Sequence, residues 1–385
     1  MTLFAVSTAV AAAPLLLCRC RWMGYRSGCA DVDNYFGSMT STTTEVNLGR
    51  ATTLACPSDE DTEIVIVAGQ HLTIKSDRKD CAVQFTNIRF TVEEGAELVF
   101  RVPLTVGPND QPSSYASAFR VKEGANLTFK APFKATGIPS VVWNEGSTVF
   151  AKESSFSDNV NVVYINTGDL KFRADSEFTS NSYHGIENFA SGYVKFSRKA
   201  TFRGNGGTYD DTAGCGLENN GGTVIFGGDV LFEGHECREA SALHNSGGKM
   251  RFNANAIFNE NVNLDPSGSE YGPIRGAGFR NSGNDGDAIF KGDVQFNRNS
   301  GTFGGGLAVS AGKVRFKKAV SFTDNEATDS GGAFVVESGK LNFEAPDSVT
   351  GSGNTADSQC SFGYVAGGTV VGFDGDVCDE ATVFG

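Results

Sequence analysis

The sequence predicts an all-β chain wound as a single parallel β-helix of about ten to twelve coils, on three recurring features. Two Phe residues stand six apart in unit after unit. An Asn follows the second Phe by three residues. A short apolar-x-Asn segment precedes each pair. The Phe pairs are Phe150/Phe156, Phe172/Phe178, Phe196/Phe202, Phe226/Phe232, Phe252/Phe258, Phe290/Phe296 and Phe316/Phe322, with Phe343/Val349 as a late variant. The trailing Asn column is Asn159, Asn181, Asn205, Asn261, Asn299 and Asn325, with His235 as its one substitution. The third column ends on Asn144, Asn166, Asn188, Asn219, Asn245 and Asn281, then becomes Leu307-Ala308-Val309 and Phe334-Val335-Val336. Steps between successive first Phe residues vary from 21 (Phe129 to Phe150) to 38 (Phe252 to Phe290), so the unit keeps its short segments and varies its connections.

These segments are strands rather than helices. They alternate with period two, as in Val314/Phe316 and Val320/Phe322, run four to six residues, and are rich in Val, Phe and Ile. Three such strands per unit, joined at Gly and Asn corners, describe one coil. Stacking equivalent strands about 4.8 Å apart places like residues above like. The expectation is two Phe stacks and two Asn ladders. A buried amide is costly alone, but in a ladder it bonds to the coils above and below. Gly331-Gly332, Gly304 to Gly306, Gly221-Gly222 and Gly247-Gly248 would supply positive φ at corners.

Along the chain, residues 1–29 read as a signal peptide or leader: Thr2 to Leu17 is uncharged and mostly apolar, with small-residue patterns around Ala9 to Ala13. Residues 30–62 are Thr-, Ser- and Asp-rich and suit a polar approach or cap. The β-helix spans 63–375, and 376–385 form a tail. A looser form of the repeat already runs early, because Phe90 to Phe100 matches Phe119 to Phe129 at an offset of 29. The rod is then about 50–60 Å long. Long connections fall at 107–118, 206–214 and 265–276, where binding residues tend to lie. Beyond the leader, no apolar run approaches the ~20 residues of a membrane span.

Composition narrows the function. The 385 residues carry a formal net charge of −13, with 48 Gly and 30 Phe. Bulk charge of that sign disfavours nucleic acid and other anionic polymers as partners. Among nine Cys, Cys215/Cys237, Cys360/Cys378 and Cys56/Cys81 are each separated by about one coil and read as disulfides, which suits an oxidising compartment. No Cys/His cluster has zinc spacing, and no cofactor motif is found. Asn126-Leu-Thr128 is the single N-glycosylation acceptor pattern.

Phe322-Thr-Asp-Asn325 followed by Gly331-Gly332-Ala333 resembles the repeats of chlamydial polymorphic outer membrane proteins, and Phe296-Asn-Arg-Asn299 with Gly304 to Gly306 nearly so. The resemblance covers about residues 145–340. It implies a right-handed β-helix of the pectate-lyase-like class, with surface display and adhesion. Members of that family end in a membrane β-barrel, whereas this chain ends about ten residues after its last predicted coil; self-export is not expected.

Many pectate-lyase-like proteins are polysaccharide lyases, hydrolases or epimerases, so the outward-facing middle residues of the third column matter. That lane runs Trp143, Ile165, Glu187, Glu218, His244 and Arg280 on consecutive coils. Two acids, a His and an Arg one rung apart suit sugar binding or acid/base work; a solvated face with scattered charges is the plainer reading, since the lane fades to Ala308 and Val335. Asp210 and Asp211 form a weak calcium candidate. Leu264-Asp265-Pro266-Ser267 is similar to the Asp-Pro-His of alginate epimerases but lacks the His. His71, His184 and His235 have no partner that spacing identifies. The expectation is an extracellular or cell-surface rod with a structural, adhesive or carbohydrate-contacting role and no catalysis. The alternative is a polysaccharide-active enzyme using Glu187, Glu218, His244 and Arg280.

Overall fold

The computed structural model describes residues 35–379, apart from 37–38, 41, 50–52, 56–61, 78–81, 108–116, 207–213, 239–240, 265–274, 358–359, 374 and 376. The chain is a right-handed parallel β-helix. Three parallel sheets run its length: sheet I with 13 strands, from Glu45–Asn47 to Thr369–Val371; sheet II with 12, from Thr53–Ala55 to Val349–Ser352; and sheet III with 13, from Thr62–Ile66 to Val377–Asp379. A five-stranded sheet IV, from Glu236–Arg238 to Thr355–Ala356, is inserted between sheets II and III in the later coils. One coil reads Lys313–Phe316 (I), Val320–Thr323 (II), Glu326–Ser330 (IV) and Phe334–Val336 (III) before returning to sheet I at Lys340–Phe343. The strands at Glu45 and Thr53 pair with His71–Lys75 and Val83–Thr86, so stacking starts upstream of residue 63. The last strand, Val377–Asp379, pairs beyond residue 375.

Period-two alternation sends Val314 and Phe316 inward and Lys313 and Arg315 outward. Because each unit stacks on the next at the strand spacing, like side chains meet face to face. In sheet I the Phe150 and Phe172 rings lie 5.0 Å apart at 4°; in sheet II Phe178 and Phe202 lie 4.5 Å apart at 7°. The two stacks meet edge to face, as at Phe150–Phe156 (5.4 Å, 87°). The expected Phe343/Val349 pair is corrected in its second member. Val349 stands opposite Val320, and Gly351 occupies the Phe322 column. The ring of Phe362 takes the vacated space, 5.8 Å from Phe322, and a Cβ on Gly351 would lie 1.8 Å from it.

Both amide columns are buried ladders. After sheet II, Asn181 Oδ1 accepts the backbone N–H and the side-chain Nδ2 of Asn159, at 3.1 and 3.0 Å, while Asn181 Nδ2 donates to Asn205 Oδ1 at 2.7 Å and to Phe156 O. The pattern resumes at Asn261 and passes through Asn299 and Asn325 to Asn354. The ladder sits where the chain turns sharply. The residue before each amide is in the left-handed region, including Asp158, Ser180, Glu260, Arg298 and Asp324 at φ 50–58°. Such a conformation costs an L-residue roughly 1–2 kcal/mol, and the amide bonds on both sides hold it in place. The second ladder links Asn144, Asn166, Asn188, Asn219, Asn245 and Asn281 through Nδ2–Oδ1 bonds of 2.6–2.8 Å. The Gly pairs beside it have two reasons. Gly247 needs its φ of +74°, whereas Gly248 is required for space, since a Cβ there would lie 2.0 Å from Asn219 Nδ2.

Cys215 bonds to Cys237 and Cys360 to Cys378, with Cα–Cα separations of 6.0 and 5.7 Å. Cys56, Cys81 and the expected leader lie outside the described residues. Among the described residues, no helix is long and apolar enough to cross a membrane.

Candidate functional site on the third sheet

Glu187, Glu218, His244 and Arg280 stand in register on four consecutive strands of sheet III, Ile186–Asn188, Gly214–Asn220, Ser241–Ser246 and Phe279–Ser282. Each is flanked by an inward apolar residue and an inward ladder Asn, for example Leu217 and Asn219, and the pleat therefore turns all four to the outer face. The row continues to Ala308 and Val335. The outer face is not a bare solvated surface, as the plainer expectation had it. Glu218 is 9% and His244 6% exposed, and Ala308 and Val335 are fully buried. At the later coils the cover is the chain arriving from sheet IV. A Cβ on Gly276 would lie 2.8 Å from Ala308 Cβ, and one on Gly304 2.7 Å from Val335 Cγ1.

The row is electrostatically coupled. His244 Nδ1 lies 3.6 Å from Glu218 Oε1, an ion-pair distance beyond hydrogen-bond range, and its Nε2 is 2.8 Å from Ser282 Oγ. Nδ1 is buried without a hydrogen-bond partner. Burial alone would raise the Glu218 carboxyl, but the neighbouring His244, with the charges of His184 and Arg280, outweighs it and holds the group below its usual range. Glu187 goes the other way: burial first, then the negative charge of Glu218, pushes it up to about 8. Burial and the nearby Arg275 lower Arg280, partly offset by Glu337 and Glu218, and Arg280 Nε is buried without a hydrogen-bond partner. At neutral pH the row therefore holds one protonated acid beside one carboxylate, a division that suits proton donor and base. Opposite Glu187 the preceding strand bulges: Val163 pairs with Ile186 and Asn166 with Asn188, leaving two residues facing one.

Trp143 is two rungs from Glu187, with Ile165 between, and the Arg120 guanidinium stacks on its ring at 5.2 Å from the centroid. Sequence spacing missed two contributors. His184 is buried, 4.3 Å edge-on from Tyr183, and its charge acts on Glu218. Ser282 was legible only as the residue after a ladder Asn, repeated at Ser246. His71 pairs with Glu97 at 3.0 Å, and His235 sits fully buried in the first ladder, its Nδ1 3.1 Å from the Asn205 amide N. Asp210, Asp211 and the Asp265-Pro266 dipeptide lie outside the described residues. No group of three or more His, Cys, Asp or Glu among the described residues is placed to hold a metal. No protein-family model, curated protein or solved structure matches the chain.

Proposed function

We propose that this protein is a secreted or cell-surface β-helical rod with a structural, adhesive or carbohydrate-contacting role and no catalysis, built on repeats of the polymorphic outer membrane protein type. One observation carries the reading. The centre of the only chemically suggestive row assigned from sequence is turned in on itself: Glu218 and His244 face each other at 3.6 Å with side chains only 12% and 7% exposed. Two disulfides between neighbouring coils support an oxidising compartment. The test is a panel of neutral and uronate polysaccharides presented to the full chain, scored for binding, new reducing ends and unsaturated products. Binding without products is expected; turnover lost in Glu187→Gln would overturn it.

The opposed protonation states of Glu187 and Glu218 favour a second reading, a polysaccharide-active enzyme with Glu187 as proton donor and Glu218 as base. Its signature is a rate that falls as pH rises through about 8, where Glu187 loses its proton.

A further inference from the structure

The outer face of sheet I carries a cleft of about 370 Å³ on the far side of a corner from the ionisable row, lined by Asp285, Asp287, Lys313, Arg315, Lys340 and Asn342 among others. That volume lies within the range of small-ligand sites. Its charge runs against the chain's. Lys249, Asp287, Lys313 and Lys340 are register partners on successive rungs, and two residues further along the same strands Arg251 and Arg315 flank Ile289. Of the two carboxylates in the lining, Asp287 is engaged from both sides: Arg251 reaches it at 2.9 Å and Arg315 at 2.8 and 3.1 Å, and Arg251 Nη1 also donates to the carbonyls of Met250 and Asp287, while Asp285 stands exposed at the corner. Arg315 Nε is buried without a partner. Lys313 and Lys340 stand directly opposite one another, both exposed, and no carboxylate among the described residues pairs with either ammonium. Like charges placed directly opposite on neighbouring strands destabilise a sheet, and an anion between them reverses the sign. Lys291, Lys317 and Lys318 add further exposed cations where the strands leave the face, with Glu344 meeting Lys317 at 3.5 Å.

We infer that this cleft binds an anionic glycan, a sulfated or carboxylated polysaccharide whose acidic groups seat between Lys313, Lys340 and Arg315 and run along the rod axis toward Lys249 and Arg251. Outward cations on three of four successive rungs about 4.8 Å apart, with the intervening Asp287 already held by Arg251 and Arg315, match a linear chain of anionic groups better than a single ion. No aromatic side chain stands among these outward positions to stack a base, which separates the site from a single-stranded nucleic-acid groove. The site extends the carbohydrate-contacting reading to a second face.

The experiment applies the full chain to immobilised heparin, with dextran, inorganic sulfate and double-stranded DNA as separate arms. Retention on heparin that weakens with salt is expected, with affinity falling about tenfold or more in Lys313→Gln/Lys340→Gln. Lys130→Gln/Lys134→Gln, on sheet II and its approach, leaves affinity unchanged, and Lys313→Arg/Lys340→Arg retains it. Circular dichroism reports that the variants fold, and protection of Lys313 and Lys340 from acetylation by heparin gives a readout independent of mutation. The inference is overturned by no retention, by equal loss in both Gln variants, by DNA binding at least as tightly as heparin, or by free sulfate competing as well as the polymer. A rod that binds neutral glycans but not heparin removes this site alone; one that binds heparin and cleaves polysaccharide removes the non-catalytic reading alone.

Discussion

His235 replaces an amide in the first ladder and cannot do all that the amide does. Its Nδ1 faces both the Asn205 N–H at 3.1 Å and the Asn205 carbonyl O at 2.9 Å, and one ring nitrogen can serve only one of them at a time, while Nε2 is buried without a partner. Burial, the largest effect, lowers the imidazole to about 4 despite backbone hydrogen bonds that work in the opposite direction. The folded value lies below the unfolded one, so the native state binds fewer protons between the two. Stability is complete above about pH 6.5 and is lost as pH falls toward 4, by roughly 3 kcal/mol at pH 4. His235→Asn should restore the amide and flatten this acid limb, so that the variant's advantage in denaturant midpoint grows from pH 8 to pH 5. A parallel decline of both proteins over that window would show that His235 is not the group responsible.

At the scale of the ladder, an amide is worth what its neighbours leave it to satisfy. Asn188 Oδ1 accepts from Asn166 Nδ2 at 2.6 Å, and Asn188 Nδ2 donates to Asn219 Oδ1 at 2.7 Å and to Gly192 O. Asn188→Ala strands buried groups on both flanking rungs, each costing about 1–3 kcal/mol, and should lower unfolding free energy by roughly 3–5 kcal/mol. Asn281→Ala, at the ladder's end, should cost less, because Asn245 Nδ2 keeps its bond to Gly248 O at 3.0 Å. Chemical denaturation of the two variants orders them; equal, small losses would mean that the amides are spectators. The apolar residues Val309 and Val336 continue the same column, Val309 directly against Asn281, so the position accepts a hydrophobe at the end of the ladder.

As a whole molecule the rod is quasi-one-dimensional, since each coil touches mainly the coils beside it. Its stability is then local, and its ends depend on their own fastenings. The Cys360–Cys378 bond ties the closing strands of sheet III, where among the described residues Val377–Asp379 pairs only with Gly363–Val365. Reduction should raise amide hydrogen exchange in residues 360–379 while the coils around Phe172 to Phe226 stay protected. Uniform deprotection along the rod would mean that it unfolds as one cooperative unit.

How much of this was legible follows from what repeats. A period of one coil dictates which residues share a stack, and the Phe columns, both Asn columns and two cysteine pairs were therefore readable from spacing. The second Phe column was lost at its end, because Gly351 is filled from a different position in the coil by Phe362. Asn354 was lost with it. The left-handed corner before each ladder amide was hidden because five of its occupants are ordinary L-residues rather than Gly. In the row Glu187 to Arg280, sequence placed all four side chains on one outer lane, since the pleat alternates strictly. Their burial and coupling were decided only in three dimensions. They depend on what the chain between sheets lays over that face and on His184 and Ser282 arriving from outside the lane, and neither has a period to betray it.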